Sequence, residues 1–159
     1  MPITDPQISF RSHPVSLAQA AASVGERLVA PQWLTFAASG PTSVQQADGS
    51  AGPIVTITRY EDPNSDQWVM IEQFHVGQTK QPGPNLIVGQ TKQPGPNLIR
   101  HVTVDSTPVA LFEFTVRAGG RETDILGALW TYRVTGKPIE VHSHGISEED
   151  LLQVVGSIR

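Results

Sequence analysis

The 159-residue chain has no cysteine, which removes disulfide staples, zinc–thiolate sites and thiol nucleophiles together. Lysine is scarce: there are three, and two of them, Lys80 and Lys92, occupy the same place in a repeated segment. Net charge is −4, the opposite of the basic footprint of a nucleic-acid binder, so no nucleic-acid partner is expected. No apolar run approaches the ~20 residues that a membrane-spanning helix needs. The opening MPITDPQISFRSHP lacks the apolar stretch of a secretion signal. On that ground alone the chain reads as cytoplasmic, or as separated from a leader or anchor.

What is present is ordinary for one globular domain: 38% apolar and 16% charged residues, in a chain long enough to bury a core without staples. Glycine and proline, 14 and 13 residues, imply many turns but fall short of low-complexity disorder.

The most distinctive feature is a tandem repeat. Residues 76–87 and 88–99 both read VGQTKQPGPNLI. A tandem copy of this kind reports on history and folding (a recent duplication, a deliberate insertion or a copying error) more than on chemistry. Each copy carries Gln-Pro-Gly-Pro-Asn, suited to a type II turn. With one copy, a strand at 67–76 would turn once and return at 98–105. The surplus copy is expected to bulge out of the domain as an extended loop or hairpin tip. Because twelve is even, a slip by one copy keeps every side chain on its face, and residues 76–99 are expected to sample more than one register. A functional repeat is the lesser alternative, since solenoid repeats are longer and need at least three units.

Residues 1–15 read as a flexible tail and 16–159 as one domain. Ser16 with Gln19 forms a capping box before Leu17, Ala20, Ala21, Val24 and Leu28, which recur at helical spacing; Gly25 lies near the end. Residues 39–53 read as a polar loop. The period then drops to two over six candidate strands at 54–60, 67–76, 98–105, 109–117, 125–134 and 138–143, joined mostly by short turn-rich links that favour antiparallel neighbours. Phe112, Phe114 and Val116 share a face, as do Leu126, Ala128, Trp130, Tyr132 and Val134. Trp68, Met70, Phe74 and Val76 also align, with Glu72 as an interruption. One covered face and one wetter face are expected. Ser147 caps a last helix whose stripe is Leu151, Val154, Val155 and Ile158. The fold class is α+β: a single curved antiparallel sheet of about six strands with an N-terminal and a C-terminal helix packed on one face.

Glu140-x-His142-x-His144 is the best candidate for chemistry, because on a strand all three point one way and two imidazoles with a carboxylate suit Zn²⁺. The solvated face of an edge strand shows the same pattern, and no second cluster completes a site. The expectation is therefore no metal, no cofactor and no catalytic residue. His75 and His101 flank the repeat and would face each other if their strands paired. Ser143-His144 and Ser12-His13 lack a nucleophile elbow. Gly119-Gly120, Gly83 and Gly95 lack the strand–loop–helix setting of a phosphate loop. Trp33, Trp68 and Trp130 read as core.

The C-terminal ILGALWTYRVTGKPIEVHSHGISEEDLLQVVGSIR resembles a domain of unknown function found in bacterial lipoproteins and at the C-terminal end of anti-sigma factors. SLAQAAASVGERLVAPQWL is similar to that family's opening helix and Pro-led segment. The resemblance spans roughly residues 16–158 without the duplicate. It lacks the family's second Pro-Gly turn after Pro31. It implies a lipoprotein-carrier (LolA-type) fold, an extracytoplasmic, cell-envelope setting, and a lipid, lipoprotein or envelope protein as partner. The family brings no established catalytic residues. The expected function is a non-enzymatic sensory or binding domain working through the cavity between sheet and helices or through the sheet's open face. The alternatives are a small protein binding an apolar ligand or lipid in that cavity, and a metal-dependent hydrolase using Glu140, His142 and His144.

Overall fold

The structure, a computed structural model, describes residues 12–25, 28–49, 52–75 and 97–158. Eight strands form one sheet in which every neighbouring pair is antiparallel. In chain order they are β1 (Ser12–Pro14), β2 (Ser43–Gly49), β3 (Gly52–Glu61), β4 (Trp68–Phe74), β5 (Asn97–Val104), β6 (Thr107–Ala118), β7 (Arg121–Tyr132) and β8 (Lys137–His144). The spatial order is β1-β2-β3-β4-β8-β7-β6-β5. Two four-strand meanders are thus joined where β8 meets β4.

This corrects the expectation of about six strands with two packed helices. The helices are short: α1 (Leu17–Val24) has eight residues and α2 (Glu148–Ser157) has ten. The two unforeseen strands are β1 and β2. The sequence of β2, SVQQADG, has no apolar alternation and so reads as a loop. It holds because its inward Gln46 is hydrogen-bonded while buried: Ser23 Oγ donates to it at 2.9 Å, and its own amide donates to Asp48 at 3.1 Å.

The helix termini follow their local code. Ser16 and Gln19 close a reciprocal capping box, and Gly25 ends α1 in the left-handed region at φ 66°, so Leu28 lies beyond the helix. Ser147 accepts from the Asp150 amide, and three acidic residues occupy the first turn of α2. Ion pairing of Glu148 with Arg100 ties that turn to β5. Gly156 has a packing reason: a Cβ there would stand 3.3 Å from Val104 of β5. No helix among the described residues is long and apolar enough to cross a membrane.

Alternation along the strands gives the sheet a helix-bearing face and a far face. On the first, Val69, Ile71, Leu111, Ala128, Ile139 and Val141 pack under Leu151 and Val154 of α2, all at most 1% exposed. α1 buries only Ala20. Val29 approaches the same face, its amide donating to Gln73 at 2.9 Å. The far face is not the wet face expected. It buries Phe112, Phe114, Ile125 and Leu129 in one cluster and Ala47, Val55 and Phe74 in another.

The repeat lies at 76–99, of which only residues 97–99 are described; the expected bulge and the register shuffling before residue 97 lie outside the described residues. Its two ends are informative. β4 and β5 are not a hairpin, as expected, but parallel strands separated by β8, β7 and β6. His75 therefore does not face His101. It bonds Thr56 Oγ1 at 2.7 Å and is buried, while His101 lies exposed on the edge strand β5. The copy ends three residues into β5. The unrepeated Arg100–Val104 stretch then fixes the pairing, with Val102 opposite Val109. By strand geometry the chain must cover about 25 Å from Phe74 to Asn97. With one copy it would still have eleven Cα steps, about 36 Å at full extension.

Removal of residues 88–99 is therefore expected to preserve the fold and raise stability by up to about 0.7 kcal/mol through the shorter closure. Urea unfolding followed by circular dichroism checks it; an unfolded product would show that both copies are structural. A second expectation concerns pH. Burial pushes the Tyr60 phenol above its ordinary 10.0, against a smaller opposing pull from the Thr58 hydrogen bond. The unfolded chain then loses that proton first, so stability falls as pH rises from about 10 until the folded phenol ionises too. Replacing Tyr60 with Phe should flatten that alkaline decline in denaturant titrations.

Candidate functional site on the far face of the sheet

The join between the meanders creates the site. The registers Trp68↔His144, Met70↔His142 and Glu72↔Glu140 set three residues of β4 against three of β8, all on the far face. Both strands are interior to the sheet, each hydrogen-bonded on two sides. The Glu140-x-His142-x-His144 run does share one face, as its spacing predicts. It is not on an edge strand, however, and its first two members are not solvated: Glu140 is 0% and His142 6% exposed.

The strand pairing changes the constellation. Glu72, 2% exposed, lies directly opposite Glu140. His142 Nε2 is 2.5 Å from Glu140 Oε2 and 3.9 Å from Glu72 Oε2. One donor atom from each of Glu72, Glu140 and His142 can be chosen so that all lie within 4.8 Å of one another. His144 leaves the group. Its Nδ1 donates to the Asp124 carbonyl at 2.8 Å, its ring stacks on Trp68 with centroids 6.2 Å apart, and its Nε2 lies 3.4 Å from Asp66 Oδ2. The candidate trio Glu140, His142 and His144 is therefore not brought together; Glu72 joins Glu140 and His142 instead. Glu72 was visible in the sequence only as a break in the apolar run of β4.

The imidazole of His142 is walled by two rings of β6. Phe112 and Phe114 stand nearly perpendicular to it at centroid distances of 5.9 and 5.3 Å. Phe112 reaches His142 across β7 because residue 127 is glycine; a Cβ at Gly127 would run into the Phe112 ring. Beside the cluster lies a groove of about 440 Å³. Its walls include Ile57, Trp68, Met70, Phe114 and Ile125, and Glu72 and His142 reach it from the polar cluster. Arg59 sits on the wall with its guanidinium 4.3 Å from the Trp68 ring centroid and its Nε 2.5 Å from Glu61.

The other sequence candidates are scattered. Trp130 is core, 8% exposed, but Trp33 is 44% exposed and Trp68 lines the groove. Ser143 lies on the helix-bearing face and donates to the Leu126 carbonyl at 2.9 Å. Gly119 and Gly120 form the β6–β7 turn with φ of 58° and 77°, while Gly83 and Gly95 lie outside the described residues. Between sheet and helices core packing alternates with open space: a cavity of about 330 Å³ where the end of α2 meets β5, β6 and β7, and a cleft of about 500 Å³ between α2, β5 and Trp33.

Comparison of the chain with known protein families, with curated proteins and with solved structures finds no match.

The contact between Gly127 and Phe112 is directly testable. Gly127→Ala should cost about 1–3 kcal/mol by overpacking. Combined with Phe112→Leu, it should cost less than the sum of the two single changes by at least about 0.5 kcal/mol. Urea unfolding of the four proteins measures this; strict additivity would mean that the ring does not lie over residue 127.

Proposed function

We propose that this chain is a non-enzymatic binding domain that takes a small anionic amphiphile, of the fatty-acid or acidic-lipid class, in the groove on the far face. The observation that carries the reading is the groove itself. About 440 Å³ is within the range of small-molecule sites, and its wall combines apolar and aromatic side chains with the polar Arg59, Glu72 and His142. Met70 and Trp68 give a wall that adapts to a flexible chain, since methionine is unbranched and tryptophan is broad and amphipathic. Arg59 is partly exposed beside them and offers charge-assisted hydrogen bonds to a carboxylate or phosphate. The resemblance to the envelope family supports the same proposal in its wider form: a sensory or binding domain of a bacterial envelope protein that meets a lipid, a lipoprotein or another envelope protein. The working surface is then the far face of the sheet rather than the space between sheet and helices, which the core partly occupies.

Displacement of a fluorescent apolar probe by a long-chain fatty acid tests this, with the matching fatty alcohol as a control. Ile57→Glu should weaken fatty-acid binding at least about tenfold by placing a charge on the apolar wall. Arg59→Gln should weaken the acid about fivefold and leave the alcohol unchanged. Val134→Glu, at a position 76% exposed and outside the groove, should have no effect. Failure of the unmodified protein to bind either compound, or equal sensitivity to all three changes, would remove the proposal.

A further inference from the structure

We infer that Glu72, Glu140 and His142 form a binding site for one divalent transition-metal ion. The inference does not rest on the amphiphile reading, because its probe is the metal alone.

Three features carry it. The first is the donor set. Two carboxylates and one imidazole are the hard and borderline ligands that Zn²⁺, Co²⁺ and Mn²⁺ take, and all three come from rigid interior strands. The second is spacing. Ligand atoms in a tetrahedral zinc shell sit about 3.3 Å apart. His142 Nε2 stands 2.5 and 3.9 Å from the two Oε2 atoms, on either side of that value, so small side-chain rotations would open one gap and close the other. The backbone would stay fixed. The third is placement. Glu72 and Glu140 are an opposed cross-strand pair, 2% and 0% exposed, so two carboxylates from adjacent strands meet His142 at one buried point.

The surroundings fit an ion that enters and stays. Glu72 and His142 both line the groove, which gives a route from solvent, whereas Glu140 is fully enclosed. Phe112 and Phe114 hold the imidazole in place and keep the site dry on one side, as apolar shells around metal sites do. His144, which the sequence pattern would have enlisted, is engaged with Asp124 and Trp68 and serves as an internal control.

The test uses the full chain after treatment with a chelator, titrated with Zn²⁺ by calorimetry and with Co²⁺ by visible absorption. One ion per chain and intense cobalt d–d bands of low coordination number are expected. Glu72→Gln, Glu140→Gln and His142→Ala should each weaken binding at least about tenfold, and His144→Ala should leave it within about twofold. Circular dichroism establishes which variants are folded. Should the three ligand variants fail to fold, the unmodified protein and His144→Ala still decide. No saturable binding at millimolar metal overturns the inference. So does binding that depends on His144, or that survives in folded Glu72→Gln and His142→Ala proteins.

Discussion

The pairing of β4 with β8 is the constraint on which the rest of this structure depends. These strands are distant in sequence, and each would be the edge of its own meander without the other. Their contact makes one sheet from two, buries Ile71 beside Val141 under α2, and sets Glu72 against Glu140 on the other side. It also dictates the path of the chain. Because β8 occupies the place beside β4, the next strand in sequence has to begin at the opposite edge and work back. The β4–β8 pairing joins residues 66 to 76 positions apart, so its loop-closure cost exceeds that of the β3–β4 and β7–β8 hairpins on either side.

The sequence was most readable where the code is local. Ser16, Gln19, Gly25 and Ser147 act within one helical turn, and all four sit as their chemistry requires. Alternation of period two grouped residues correctly within a strand, Phe112 with Phe114 and Ala128 with Trp130, but gave no sign that the two groups lie on opposite faces. It could not say which strands are neighbours. The hairpin expected between 67–76 and 98–105 followed from adjacency in the chain, and a link of this length need not obey adjacency. β2 was missed because Gln46 is satisfied by Ser23 and Asp48, a side-chain network that has no periodic signature. The site was half legible. Glu140 and His142 stood out by spacing, but their third member depends on register between distant strands, and His144 is drawn off by a backbone carbonyl that no pattern announces.

The sheet is apolar on both sides, and its two sides are unlike. The helix-bearing side is closed by aliphatic packing around Leu151 and Val154. The far side combines aromatic rings with a buried acidic pair and an imidazole. A core built only for stability would replace those polar groups with hydrophobic ones of similar volume, usually at no loss. Here they lie in the middle of the sheet, next to a groove and beside Phe112 and Phe114, on strands that are paired on both sides.

The two margins of the sheet differ in a way that bears on self-association. β1 is three residues long and ends in Pro14, so it offers little to a neighbour. β5 has eight residues, no proline, and, among the described residues, no strand on its outer side. Strand addition between molecules would therefore run through β5. Two molecules joined antiparallel by this margin would satisfy one another's backbone groups and turn only blunt β1 ends outward. Judged by the described residues, such assembly would close at a symmetric pair instead of propagating into a filament.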